Sequence, residues 1–152
     1  MIYVDTSVLV PYYFPDPLSS RVQRFLRETP GIALSDLGEV EFFSALARKV
    51  RERELQREDA RRVAAVFMGH LEGGAYTRLE LDRATYQTAR SWISGFDVPL
   101  RALDALHLAV AATGALPIAT ADAAQARSAA SLGLRVMYFG PGRRVPTVTR
   151  KK

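Results

Sequence analysis

Four carboxylates stand inside segments that otherwise read as buried. Asp5 closes the run Ile2-Tyr3-Val4, Glu41 sits in Val40-Glu41-Phe42-Phe43, Asp104 in Leu103-Asp104-Ala105-Leu106-His107-Leu108-Ala109, and Asp122 follows Ile118-Ala119-Thr120-Ala121. An ionised carboxylate is rarely buried without a partner, because leaving water costs several kcal/mol unless the charge is compensated. Each acid alone has an ordinary use. Asp5 or Asp122 reads equally as a helix N-cap, Glu41 as a solvent-facing acid beside Glu39, and Asp104 as the partner of Arg101 one helical turn earlier. The four together point elsewhere. Oxygen-only acidic clusters suit Mg2+ or Mn2+, which take carboxylates and waters and need neither cysteine nor histidine. If the four converge, they repel one another unless a cation lies among them. Such a cation lowers the pKa of a bound water.

The elements that must bring these acids together follow from periodicity and breakers. Residues 2–5 are apolar and β-branched, as a buried strand requires, with Asp5 at the carboxyl end and Thr6 and Ser7 placed to start a helix. Pro11, Pro15 and Pro17 are expected to break the path that follows. Ser19 to Glu28 has helical spacing, with Val22, Phe25 and Leu26 on one face, and Thr29-Pro30-Gly31 ends it. Ile32 to Leu34 is a second strand, after which Ser35 or Asp36 caps a helix to about Val50. Further helices are expected over 57–71, 82–94, 100–112 and 122–132, with Gly73, Gly74 and Gly114 as stops. Strands are expected over 76–81, 117–120 and 134–139. Apolar strands separated by helices imply a three-layer α/β/α sandwich around a mainly parallel sheet. In such sheets the ligand crevice lies at the carboxyl ends of the strands, where the strand order reverses. Asp5 and Asp122 both follow strands at that end.

Composition narrows the classes. With 48% hydrophobic and 24% charged residues the 152-residue chain is ordinary globular material for one domain. It contains no cysteine and two histidines, His70 and His107, so disulfides, iron–sulfur clusters, thiolate zinc sites and a thiol nucleophile are excluded. No apolar run approaches the ~18 residues that span a bilayer. No secretory signal is visible, and the expected compartment is the cytoplasm. The net charge is +5, but Arg143, Arg144, Arg150, Lys151 and Lys152 account for all of it, leaving residues 1–142 with equal numbers of acids and bases. The organisation is therefore read as a domain over 1–142 and a basic tail over 143–152, which either holds phosphates or is a solvated end.

The four acids in their local settings resemble the PIN-domain nucleases, and within them the VapC-type toxins of bacterial toxin–antitoxin pairs. Met-Ile-Tyr-Val-Asp-Thr-Ser-Val-Leu-Val at the start resembles the first strand and acid of the family, with Ser7 at its hydroxyl position. The stretch from Ser35 through Leu37 to Glu41 resembles the second motif, with Phe42 to Arg48 continuing the helix. The run Leu103 to Ala109 resembles the third and is the most specific piece. Thr120-Ala121-Asp122, followed by Ala129, Gly133, Leu134 and Val136, resembles the fourth acid and the closing helix and strand.

The resemblance implies a PIN-like fold and hydrolysis of RNA phosphodiester bonds assisted by one or two Mg2+ or Mn2+ ions. It implies that Asp5, Asp104 and Asp122 bind metal most directly and that Glu41 acts through a water, with Ser7 and Thr120 holding carboxylates or waters. It also implies an antitoxin partner, whose docking could use Tyr12, Tyr13, Phe14 or Trp92 if they are not core, and a homodimer. Glu39 is read as an auxiliary acid or an exposed helix-start acid. His107 is read as a satisfied helix histidine rather than a general base, and His70 has no evident partner. Three other readings compete: a non-catalytic PIN-like RNA-binding or assembly domain, a phosphatase-like protein using Asp5 as phospho-acceptor, and a solitary nuclease acting on other RNA or on DNA. The second would want another Asp where Ser7 stands.

Overall fold

The computed structural model describes residues 1–140, so the basic tail read over 143–152 lies outside the described residues. Five strands, β1 (Ile2–Val4), β2 (Ile32–Ser35), β3 (Thr77–Leu79), β4 (Ile118–Thr120) and β5 (Val136–Tyr138), form one sheet in the order β3-β2-β1-β4-β5. Every pairing is parallel. Seven helices connect them: α1 (Thr6–Tyr13), α2 (Ser19–Glu28), α3 (Asp36–Arg51), α4 (Arg57–Glu72), α5 (Arg83–Ser94), α6 (Ala102–Thr113) and α7 (Ala123–Ser131).

The three layers follow from the period-two alternation of strand side chains. Ile2, Val4, Ile32, Leu34 and Ala119 face one side, where they pack with Val8 and Leu9 of α1, Val22 of α2, Phe42 and Leu46 of α3 and Phe67 of α4. Tyr3, Ala33 and Ile118 face the other, against Leu108 and Val110 of α6 and Ala129 of α7. With both faces covered, the short strands need no polar side, and each fully buried large apolar side chain contributes roughly 1.5–3 kcal/mol.

Local chemistry explains the boundaries. Ser35 ends β2 and caps α3, its Oγ accepting from Gly38 N. Asp82 caps α5 by accepting from Thr85 N. Pro11 departs from expectation: it lies inside α1 and is buried. At the sixth of eight positions it removes only the bond its own N–H would have made, and Phe14 N still bonds Val10 O to finish the helix. Helices α3, α5 and α6 each end in a residue held in the left-handed region, Arg53 (φ 62°), Phe96 (φ 57°) and Ala115 (φ 52°), where glycine is the unstrained choice. Gly114 stops α6 as expected, yet Ala115 behind it carries the strain.

Tyr13 packs edge-on against Phe42 and Phe67, and Trp92 packs beneath α6, so both belong to the core. Phe14 lies under the Lys49 ammonium, 4.2 Å from its ring centre. His70 does have a partner: Tyr13 Oη lies 2.7 Å from its Nδ1 and 2.6 Å from Tyr76 Oη. No helix among the described residues is long and apolar enough to cross a membrane.

Candidate active site

Strand order reverses between β1, the central strand, and its neighbour β4, and the crevice at their carboxyl ends is where an open parallel sheet presents its ligand site. Asp5 follows β1 directly and Thr120 ends β4, so the sheet itself brings residues 115 apart in sequence into contact. A cleft of about 630 Å³ opens there, lined by Asp5, Glu41, Asp104 and Asp122.

Asp5 is 6% exposed. It stands at the N-cap position of α1, but its side chain caps nothing. Instead Oδ2 accepts from Ser7 Oγ at 2.5 Å and from Thr120 Oγ1 at 2.9 Å. Ser7 Oγ also accepts from Ala121 N, which ties the turn after β4 to α1. Two hydroxyl donors on one oxygen fix the carboxylate while Oδ1 stays 3.7 Å from His107 Nε2.

Glu41 comes from the second turn of α3. Its Oε2 accepts from Thr6 Oγ1 at 2.7 Å and lies 2.6 Å from His107 Nε2. His107, 1% exposed, is hydrogen-bonded at both nitrogens, since Nδ1 is 2.6 Å from Tyr3 Oη. Tyr3 Oη in turn is 2.7 Å from Ser35 Oγ, the cap of the helix that carries Glu41. The chain of contacts closes on itself through β1, α3 and α6. Burial opposes charge on both His107 and Glu41, but their mutual hydrogen bond and attraction win. The histidine is raised, aided by Asp5 and Asp104, and Glu41 is lowered, aided by Thr6. Burial also pushes the Tyr3 phenol well above its usual value.

Asp104 lies in the first turn of α6. Partial burial and the nearby Asp122 and Asp5 carboxylates raise its pKa, with Arg101 pulling the other way. Asp122 does cap α7, as its ordinary reading requires, with Oδ1 accepting from Ala124 N and Gln125 N while the residue lines the cleft. The two uses are compatible. Glu39 lies apart from these acids: it makes a two-pronged pair with Arg78, with both contacts at 2.6 Å, tying α3 to the sheet-edge strand β3.

Among the described residues, Asp5, Glu41 and His107 form the group whose ligand atoms lie within 4.8 Å of one another, with Asp104 and Asp122 on the walls around it. The carboxylates of this set and its walls fit an oxygen-preferring divalent cation, while His107 Nε2 is engaged by Glu41. Repulsion that raises Asp104 is what a cation would relieve, and no thiolate competes. The cleft rim is basic, with Arg48, Lys49 and Arg51 from the last turns of α3 and Arg101 at the start of α6. Lys49 is already committed to Glu54 and Phe14.

The structure thus brings Asp5, Glu41, Asp104, Asp122 and Ser7 to one cleft, with Thr120 buried beside it on Asp5. Sequence reasoning missed Thr6, Tyr3 and Gln125 and left His107 outside. Only the spacing of His107 three residues after Asp104 hinted at it, because its partners are 66 and 104 residues away.

This fold and acidic crevice define the class. Residues 2–130 match the PIN-domain family model, and the chain belongs to that family. Its fold is similar to FitAcB from Neisseria gonorrhoeae, with 23% identity and a TM-score of 0.65 over 90% of this chain and 96% of that one. VapC20 from Mycobacterium tuberculosis, described as a sarcin–ricin loop cleaving toxin, aligns with 17% identity and a TM-score of 0.67 over 88% of this chain and 96% of that one. VapBC2 from Rickettsia felis, solved on a DNA fragment from its promoter, aligns with 14% identity and a TM-score of 0.64 over 91% and 99%. A search of curated proteins returns no sequence match.

Proposed function

We propose that this PIN-domain protein is a metal-dependent endoribonuclease, the toxin of a toxin–antitoxin pair, acting in the cytoplasm. The observation that carries the reading is the convergence of Asp5, Glu41, Asp104 and Asp122 on one cleft at the switch point of the sheet. A Mg2+ or Mn2+ ion held by these acids would supply a water of lowered pKa and stabilise charge on the phosphate. The protein's own groups do the rest. Ser7 and Thr120 hold Asp5 in one orientation, so its free oxygen is presented without reorganisation. His107 and Thr6 hold Glu41 through Oε2, so that the carboxylate is placed to orient the attacking water. Asp122 is fixed by the backbone of α7. Arg48, Arg51 and Arg101 would hold phosphates flanking the cut bond, which the acids themselves would repel.

The toxin role rests on likeness to FitAB and VapBC complexes, which supports a cognate antitoxin, while the homodimer rests on the family resemblance alone. The test is cleavage of total RNA or tRNA by purified protein with Mg2+, Mn2+ or EDTA, beside folded Asp5→Asn and Asp104→Asn variants. Metal-dependent cutting lost in both variants is expected. Folded, antitoxin-free protein that cuts no RNA with either metal would leave a non-catalytic binding domain in its place.

A further inference from the structure

The cleft is divided in charge along its length. Its inner end holds Asp5, Glu41, Asp104 and Asp122, and its outer end holds Arg48, Lys49 and Arg51 with Asp16. Helix α3 runs from one end to the other. Glu41, Ser44, Ala45 and Arg48 recur at i, i+3, i+4 and i+7, which is one face of a helix, and all four line the cleft. At about 1.5 Å of rise per residue, Arg48 stands about 10 Å and Arg51 about 15 Å along the axis from Glu41. The opposite wall is α1, through Val10 and Pro11, and the two helices stay together to the outer end, where Lys49 Nζ covers the Phe14 ring.

The charges at the outer end differ in what they already hold. Lys49 pairs with Glu54, and Asp16 accepts from Leu18 N in the turn into α2. On α4, outside the cleft, Arg61 and Arg62 pair with Glu58 and Asp59. Among the described residues Arg48 and Arg51 make no ion pair, and both are exposed. Two uncommitted guanidiniums beyond a floor of small side chains offer paired donors to a polyanion. A cleft of about 630 Å³ is of small-ligand size, so one strand enters it and a duplex does not. Building on the nuclease reading above, we infer that the α3 face is a one-sided track for a single RNA strand, on which Arg48 and Arg51 grip backbone phosphates remote from the cut bond. At about 3.4 Å of rise per stacked nucleotide, the distance from Glu41 corresponds to about three to four nucleotides. Phosphate contacts carry no base information, so the track takes any sequence on that side.

The experiment uses a single-stranded oligoribonucleotide that the wild-type protein cuts at one mapped bond, shortened stepwise from its 5′ or its 3′ end. Single-turnover cutting is measured across enzyme concentrations for wild type, the double variant Arg48→Gln with Arg51→Gln, Ser44→Glu, and the double variant Arg61→Gln with Arg62→Gln, with thermal unfolding to establish that each is folded. In wild type, shortening one arm below about four nucleotides should raise the half-saturating concentration about tenfold, and shortening the other should change it less than about threefold. The Arg48 and Arg51 double variant should bind the long strand as weakly as wild type binds the short one, with the slope of log affinity against log salt reduced by about 1.4–2. Ser44→Glu, which sets an acid in the middle of the track, should lose the same length dependence. The Arg61 and Arg62 double variant, which loses equal charge outside the cleft, should keep it. Equal length dependence in wild type and the Arg48 and Arg51 variant would overturn the assignment and leave those arginines as a surface for a protein partner. So would an equal loss in the Arg61 and Arg62 variant, which would reduce the track to general attraction. A wild-type protein that cuts no RNA would defeat the nuclease reading itself, a result distinct from cutting without length dependence.

Discussion

Tyr3→Phe removes one oxygen from the centre of the fold, and the structure sets the size of its effect. The phenol is fully buried in β1 and touches Ser35 Oγ at 2.7 Å and His107 Nδ1 at 2.6 Å. Phenylalanine keeps the ring and its packing, so the transfer and cavity terms nearly vanish. Two hydrogen bonds are lost. Ser35 keeps its contact with Gly38 N, but His107 Nδ1 is left buried without a partner. At about 1 kcal/mol for each ordinary bond, with the orphaned imidazole nitrogen at the upper end, the expected loss is about 2–3 kcal/mol. For a domain of this size that lowers Tm by roughly 4–10 °C. Urea unfolding in EDTA at neutral pH should show a lower midpoint with an unchanged slope, since the surface exposed on unfolding stays the same. Because the same bond orients His107 on Glu41, Mn2+ affinity measured by calorimetry should also fall, even at temperatures where the variant is fully folded. A stability loss below about 0.5 kcal/mol would refute the argument that this closed chain of contacts holds β1, α3 and α6 in register.

Asp104→Asn should stabilise the metal-free protein at neutral pH, because Asp104 is raised by burial and by its neighbours Asp122 and Asp5 and its ionised form is unfavourable in the fold. The same variant should lose cleavage by about a hundredfold or more, and the stabilisation should vanish when Mn2+ is added to both proteins. In EDTA, the Glu41–His107 pair should give stability a bounded pH window. The raised His107 contributes fully below its ordinary value of 6.5 and is lost as pH climbs through its higher folded value, and the lowered Glu41 contributes above 4.5 and is lost as pH falls through its lower folded value. Replacing His107 with Asn should flatten the alkaline limb in denaturation curves taken across pH. Ala115→Gly should raise stability by about 0.5–1 kcal/mol in urea titrations, because the residue sits at φ 52°. Arg48→Ala should weaken RNA binding by the Asp5→Asn protein and reduce the slope of log affinity against log salt by about 1, while leaving Mn2+ affinity unchanged.

Much of this architecture is legible in the sequence because local rules and tertiary needs agree. Ser35 and Asp82 are good caps wherever they stand, and the structure uses both. The apolar strands could lie only in a covered parallel sheet, and the sheet is wholly parallel. Pro11 misleads because local propensity treats proline as a stop, whereas burial of its ring holds α1 together through one missing bond. The acids are visible through their apolar settings. Their supports are not. Thr6, Tyr3 and His107 act through partners dozens of residues away, and no periodicity encodes which hydroxyl reaches which carboxylate. Glu39 shows the reverse limit, since its claim beside Glu41 dissolves once Arg78 of β3 is seen to hold it.

The order of strands in the sheet has a consequence for the chain as it is made. Asp5 and Glu41 are synthesised first, but Asp5 acquires its second hydroxyl partner only when Thr120 arrives, and β1 remains an open edge until β4 docks beside it. At a synthesis rate of about 5–20 residues per second, several seconds separate the first acid from the last. Throughout that interval the nascent chain holds half a cleft. The cleft of this protein therefore stays incomplete until nearly the whole domain has left the exit tunnel.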